Sequence, residues 1–114
     1  MVADIRRWPV SRIVHFNKEE LVPVLKEQAI EYMHLEALGA FRPEGYEAWM
    51  REPVWQEAYE QLIATAKRRT TAFMCAERSP RRCHRRFIAC RLYEDGWDVV
   101  HILGDGAAQE TLAL

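Results

Sequence analysis

The stretch that most constrains this chain of 114 residues is Thr71–Ala76, TAFMCA, an apolar run with Lys67-Arg68-Arg69 before it and Glu77-Arg78 after it. A run this short, bounded by charge, is the pattern of a strand covered on both faces of a parallel sheet. Ser79-Pro80 follows, a helix N-cap with proline at the first helical position, and Asp95-Gly96 is the matching stop about four turns later. A covered strand running into a helix commits the chain to α/β architecture, because parallel strands are joined by crossover helices.

The rest of the chain keeps the same rhythm. Val2–Arg6 reads as a short strand, followed by a loop with Pro9 and Ser11 and by Asn17, an N-cap with Glu20 three residues on. The helix it opens covers Lys18–Gln28, with Leu21, Val24 and Leu25 on its apolar side; Pro23 is expected in an early turn or a bend. A strand over Glu31–Leu35 comes next. Tyr46–Met50 and Val54–Arg68 read as helices broken at Glu52-Pro53, with Trp49, Trp55, Tyr59, Leu62 and Ile63 supplying their apolar faces. Trp97–Leu103 is the last expected strand, and 104–114 a loose tail. The expectation is one domain over 1–114, a three-layer α/β/α sandwich around a mostly parallel sheet of about four strands.

Several classes are excluded early. Nothing approaches the ~18 apolar residues of a membrane span, and Asp4 and Trp8-Pro9 stand where a signal peptide would be apolar. Three cysteines without scaffold spacing fit a reducing compartment, so the expected location is cytoplasmic.

Net charge is −1, but the signs are segregated: twelve of the sixteen Lys and Arg lie in Arg6–Arg12 and Lys67–Arg91, while acids dominate Lys18–Glu60. Arg78–Arg91 holds six arginines and no acid, a local cationic field suited to an anionic ligand. The strand-to-helix turn sits where open α/β sheets bind ligands, at the carboxyl ends of the strands, and a helix N-terminus near Ser79 adds unpaired N–H groups.

The segments DIRRWPVSR…FNKEEL, EYMHLEALGA and MCAERSPRRCHRRFIACRL…GWDVVHI resemble the domain-of-unknown-function family 488 over Asp4–Ile102. The resemblance rests on Asp4, Arg6, Pro9 and Ser11, on His34 with Leu38-Gly39, and on Cys75, Glu77, Cys83, His84 and Arg85. It implies a three-layer α/β fold and no established reaction. It also implies a short version of the family, lacking a usual strand-helix unit ahead of Asp4.

Several chemistries compete for these residues. Cys75, Cys83 and His84, with His34, make a zinc-type set, but Cys83 and His84 are adjacent and diverge on a helix, so no metal is expected. Cys75 facing a helix N-terminus near Arg78 and Arg81 has the setting of a nucleophile, though Pro80 and Glu77 spoil a phosphate-wrapping loop. The preferred reading is a polar cluster in which Glu77, Asp4 and Cys75 are the catalytic candidates and Arg6, Ser11, His34, Ser79, His84 and Arg85 hold a small phosphate- or nucleotide-like anion. Without Gly-x-Gly-x-x-Gly or a Walker loop, no cofactor is expected. The alternatives are an ion-pair network with no catalysis, and a nucleic-acid-binding module using Arg78–Arg91, which lacks interleaved aromatics for stacking. Cys83, Phe87 and Cys90 are expected on the core side of their helix, with Arg82, Arg85 and Arg86 opposite. An under-neighboured first strand makes a homodimer the expected assembly.

Overall fold

The structure, a computed structural model, describes residues 1–11, 13–40, 42, 44–75, 84–102 and 108–110. The chain divides into two compact units, Met1–Ala76 and Glu77–Leu114.

The first unit is built on three parallel strands: β1 (Val2–Asp4), β2 (Tyr32–His34) and β3 (Ala72–Met74), in the order β2-β1-β3. Asp4 at the end of β1 stands opposite His34 on one side and Met74 on the other. All three carboxyl ends therefore share one edge. Helix α1 (Lys18–Glu27) connects β1 to β2, and helices α2 (Tyr46–Trp49) and α3 (Pro53–Arg68) lie between β2 and β3. The chain thus steps to one side of β1 and then back across it, and right-handed crossovers carry α1 and α3 to opposite faces of the sheet. The chain is an α/β fold, as the alternation of its elements requires.

α3 supplies half of this unit's buried apolar residues. Pro53 occupies its first turn, and Trp55, Ala58, Tyr59 and Leu62 repeat at three and four residues to give one buried stripe. Trp55 is fully buried and stacks on Tyr59, with ring centres 5.0 Å apart. Its indole N–H donates to the Tyr46 hydroxyl (2.9 Å), which donates to the Leu38 carbonyl (2.7 Å), so the buried aromatics leave no polar cost behind. Ile63, expected on this face, is only half-buried.

α1 differs from its expected form: none of its residues is buried, and Val24, expected on its apolar side, is exposed. Pro23 lies inside the helix, on its exposed side, where the hydrogen bond it cannot donate faces water. Asn17 is the N-cap residue, but its side chain caps nothing in the helix; its Oδ1 accepts instead from the Ser11 backbone N–H at 2.5 Å.

In the second unit, α4 (Arg85–Glu94) ends as the sequence requires. Gly96 is left-handed (φ 92°), the Gly96 N–H donates to the Tyr93 carbonyl and the Trp97 N–H to that of Leu92, which together make a Schellman close. Strand β4 (Val100–Ile102) pairs antiparallel with β5 (Ala108–Glu110), so among the described residues the parallel sheet has three strands. The buried stripe of α4 also differs from expectation. Ile88, Ala89 and Leu92 are buried, whereas Phe87 and Cys90 are half-buried flanks. Residues 85, 88, 89 and 92 fall on one helical face, so Arg85 stands with the buried stripe and not opposite it. The expected cap Ser79-Pro80, and Cys83, lie outside the described residues.

Candidate functional site

The carboxyl edge of the parallel sheet is organised around an ion pair. Asp4 is wholly buried and Arg6 5% exposed, and they meet through two oxygen–nitrogen contacts: Arg6 Nε donates to Asp4 Oδ1 at 2.8 Å and Nη2 to Oδ2 at 2.6 Å. The Arg6 backbone N–H adds a third bond to Oδ1 (3.2 Å), and the Tyr32 hydroxyl donates to Oδ2. Arg6 Nη1 spans to the Phe16 carbonyl at 2.6 Å, tying the loop after β1 to the sheet. Two residues apart on an extended strand end, an aspartate and an arginine point the same way, which lets this fork close locally.

The electrostatics follow from that geometry. Burial alone would raise Asp4, but the hydrogen bonds from Arg6 and Tyr32 outweigh it and hold the carboxyl below its ordinary value. Arg6 is raised by its bond to Asp4 against the opposing effect of burial. Tyr32 is raised too, by burial first and then by its bond to the Asp4 carboxylate. Asp4 thus remains charged with both oxygens occupied, and the Arg6 fork is spent on Asp4 and Phe16.

His34 closes the edge on the β2 side. Its Nε2 lies 2.6 Å from the Arg6 carbonyl, and a carbonyl only accepts, so Nε2 carries a proton and Nδ1 is the ring atom left for another partner. Ser11 is half-buried in the loop, its Oγ accepting from the Ile13 N–H at 3.1 Å. Cys75, half-buried, is the first residue beyond β3.

Gly39 explains the Leu-Gly pair of the sequence. Leu38 is fully buried, and a Cβ on Gly39 would come within 2.5 Å of the Arg7 backbone nitrogen. Only glycine lets the chain after β2 pass this close to the chain after β1.

The structure therefore brings Asp4, Arg6 and His34 into one bonded cluster, with Cys75 at the neighbouring strand end. Ser11 takes part in the loop's own hydrogen bonds. Glu77 and Ser79 lie outside the described residues. His84 and Arg85 open α4 in the second unit, where Arg85, after burial, is the second cause that lowers His101. No group of three or more metal-ligating side chains occurs among the described residues. Sequence reasoning missed Tyr32, although strand alternation puts it on the same face as His34 and Asp4. It also missed the Phe16 carbonyl, which no side-chain pattern marks, and marked Asn17 as a helix cap where its side chain instead accepts from the Ser11 N–H.

Residues 1–92 match the family model described as Domain of unknown function DUF488. The chain belongs to this family. The residues on which the resemblance rests have physical roles here: Asp4 and Arg6 form the fork, His34 binds the Arg6 carbonyl, and Leu38-Gly39 packs against Arg7. No curated protein and no solved structure matches this DUF488 chain. No helix among the described residues is long and apolar enough to cross a membrane.

Proposed function

We propose that this DUF488 chain binds a small anionic, phosphate- or nucleotide-like ligand through the segment that leaves the carboxyl end of β3, Cys75-x-Glu77 to Cys83-His84-Arg85. One observation carries the reading. Strand order β2-β1-β3 makes the carboxyl end between β1 and β3 the place where open α/β sheets receive ligands, and β3 ends there at Met74, just before Cys75. The sequence that leaves it carries six arginines between Arg78 and Arg91 with no acid among them. Arginine contributes bidentate, charge-assisted hydrogen bonds that suit phosphate.

Thermal melting with increasing inorganic phosphate or adenosine monophosphate, against sodium chloride at matched ionic strength, tests this. A saturating rise in Tm specific to the phosphate compounds is expected, because a ligand that binds only the folded state stabilises it. Arg81→Ala and Arg82→Ala should each weaken the effect by about ten- to a hundredfold, the loss of one charge-assisted bond. Equal melting in phosphate and chloride rejects the reading.

A second reading concerns Asp4 and Arg6 alone, and the closed fork favours it. With every oxygen of Asp4 engaged, these two residues serve as a brace for the edge and not as acid, base or anion contact. Under this reading their replacement unfolds the chain before it alters any ligand effect.

A further inference from the structure

Building on the phosphate-like ligand proposed above, we infer that His101 of β4 shares it with Arg85 of α4, so that the second unit holds one fully ionised oxyanion between an imidazolium and a guanidinium. Strand β4 is inverted in polarity. Trp97, Val99 and His101 are half-buried, whereas Asp98, Val100 and Ile102 are exposed, Val100 by 52% and Ile102 by 71%. Successive side chains of a strand alternate faces, so the imidazole takes an inward place while two aliphatic residues are left in water. A polar residue at an inward position works against folding and is kept where it has a function.

Arg85 faces inward as well. It shares the helical face of Ile88, Ala89 and Leu92, and its Nε is out of contact with water. Burial first, and then the Arg85 charge, lower His101 below its ordinary value. Among the described residues the acids of this unit stand elsewhere. Glu94 and Asp95 are exposed at the far end of α4, roughly 15 Å along its axis from Arg85, and Asp98 is on the outward row. On β5, uncharged Gln109 is opposite His101 in register, and Glu110 is opposite Val100.

Arg85 and a protonated His101 repel each other, and a shared anion turns that repulsion into two attractions. Both groups only donate hydrogen bonds, so the ligand between them presents acceptor oxygens and a double negative charge, as the dianion of a phosphate monoester does. Its charge reverses the field at His101, which takes up one proton from solvent as the anion binds.

Histidine resonances of the full chain, followed by NMR against pH with inorganic phosphate or with sodium chloride at matched ionic strength, read that proton. His101 should titrate below the ordinary imidazole value of about 6.5 in chloride and above it in saturating phosphate, while His15 and His34 move little. Sulfate, which stays a dianion from about pH 6 to about pH 8, separates His101 from the titration of phosphate itself. Its affinity should fall as pH rises in the parent chain and stay level in His101→Gln. At about pH 6 this variant should bind either anion about ten- to a hundredfold more weakly, the loss of one charge-assisted bond. Phosphate-specific stabilisation of the parent chain with an unmoved His101 signal, or with full affinity kept in His101→Gln, overturns the assignment of His101 and leaves the phosphate reading standing. Absence of phosphate-specific stabilisation in the parent chain removes both.

Discussion

A carboxylate without solvent contact is tolerated at Asp4 because four donors reach it: the Arg6 backbone N–H, both sides of the Arg6 guanidinium and the Tyr32 hydroxyl. Removing the charge while keeping the shape tests how much rests on them. Asp4→Asn leaves the Arg6 guanidinium buried without a counter-charge, and the expected loss is about 3–5 kcal/mol in urea unfolding. Tyr32→Phe removes one neutral donor to a charged acceptor, so about 1.5–3 kcal/mol is expected. The pH dependence has two arms. Asp4 is depressed in the folded chain, so its contribution is full above the ordinary carboxylate value of about 3.9 and is lost as pH falls through the folded value. Tyr32 is raised, so its contribution is full below about 10 and is lost as pH rises beyond that. Tyr32→Phe should abolish the alkaline arm and retain an acid arm. A variant that keeps the alkaline arm would show that another group produces it. The Asp-x-Arg motif was legible as a functional candidate, but not as a closed pair, because nothing in the sequence says whether an aspartate and an arginine two apart face each other or a ligand.

Helices and turns show which signals survive folding. α3 was legible because its apolar residues repeat over four turns, and the α4 stop because Asp95-Gly96 requires a left-handed residue that Gly96 supplies. The stripe of α4 differs from its expected form for a physical reason: cysteine and phenylalanine outweighed alanine in the pattern, yet Ala89, like Ile88, has no exposure. α1 ends in a second Schellman close, the Ile30 N–H donating to the Leu25 carbonyl and the Ala29 N–H to that of Lys26. Here the left-handed position is held by Ala29, φ 56°, where a Cβ costs about 1–2 kcal/mol. Ala29→Gly should therefore raise stability by about 0.5–1 kcal/mol, after the entropy that glycine adds to the unfolded chain. A loss on chemical denaturation would contradict this account of the α1 terminus. Gly39→Ala should do the opposite, costing about 2 kcal/mol or more, because its Cβ meets the rigid Arg7 backbone and not a movable side chain.

At the scale of the whole chain, the two units carry different sensitivities to acid. The first unit, Met1–Ala76, contains Asp4, whose contribution is secure until pH falls below the ordinary carboxylate range. The second, Glu77–Leu114, contains His101, lowered by burial and by the Arg85 guanidinium. A histidine with a lowered folded value binds fewer protons folded than unfolded, so its unit loses stability as pH falls below about 6.5, the ordinary imidazole value. Acidification should therefore loosen the units in sequence, the second as pH falls below about 6.5 and the first only below about pH 4. Hydrogen exchange resolved by segment, expressed as protection factors to remove the intrinsic pH dependence, reads this directly. Amides of α4, Arg85–Glu94, should lose protection while those of α3, Pro53–Arg68, keep theirs. His101→Gln should remove the earlier loss, since it leaves Arg85 beside a group that cannot be protonated. If α3 and α4 lose protection together in the parent chain, the units unfold as one and the division has no energetic counterpart. If α4 still loosens first in His101→Gln, the sensitivity belongs to another group of the second unit.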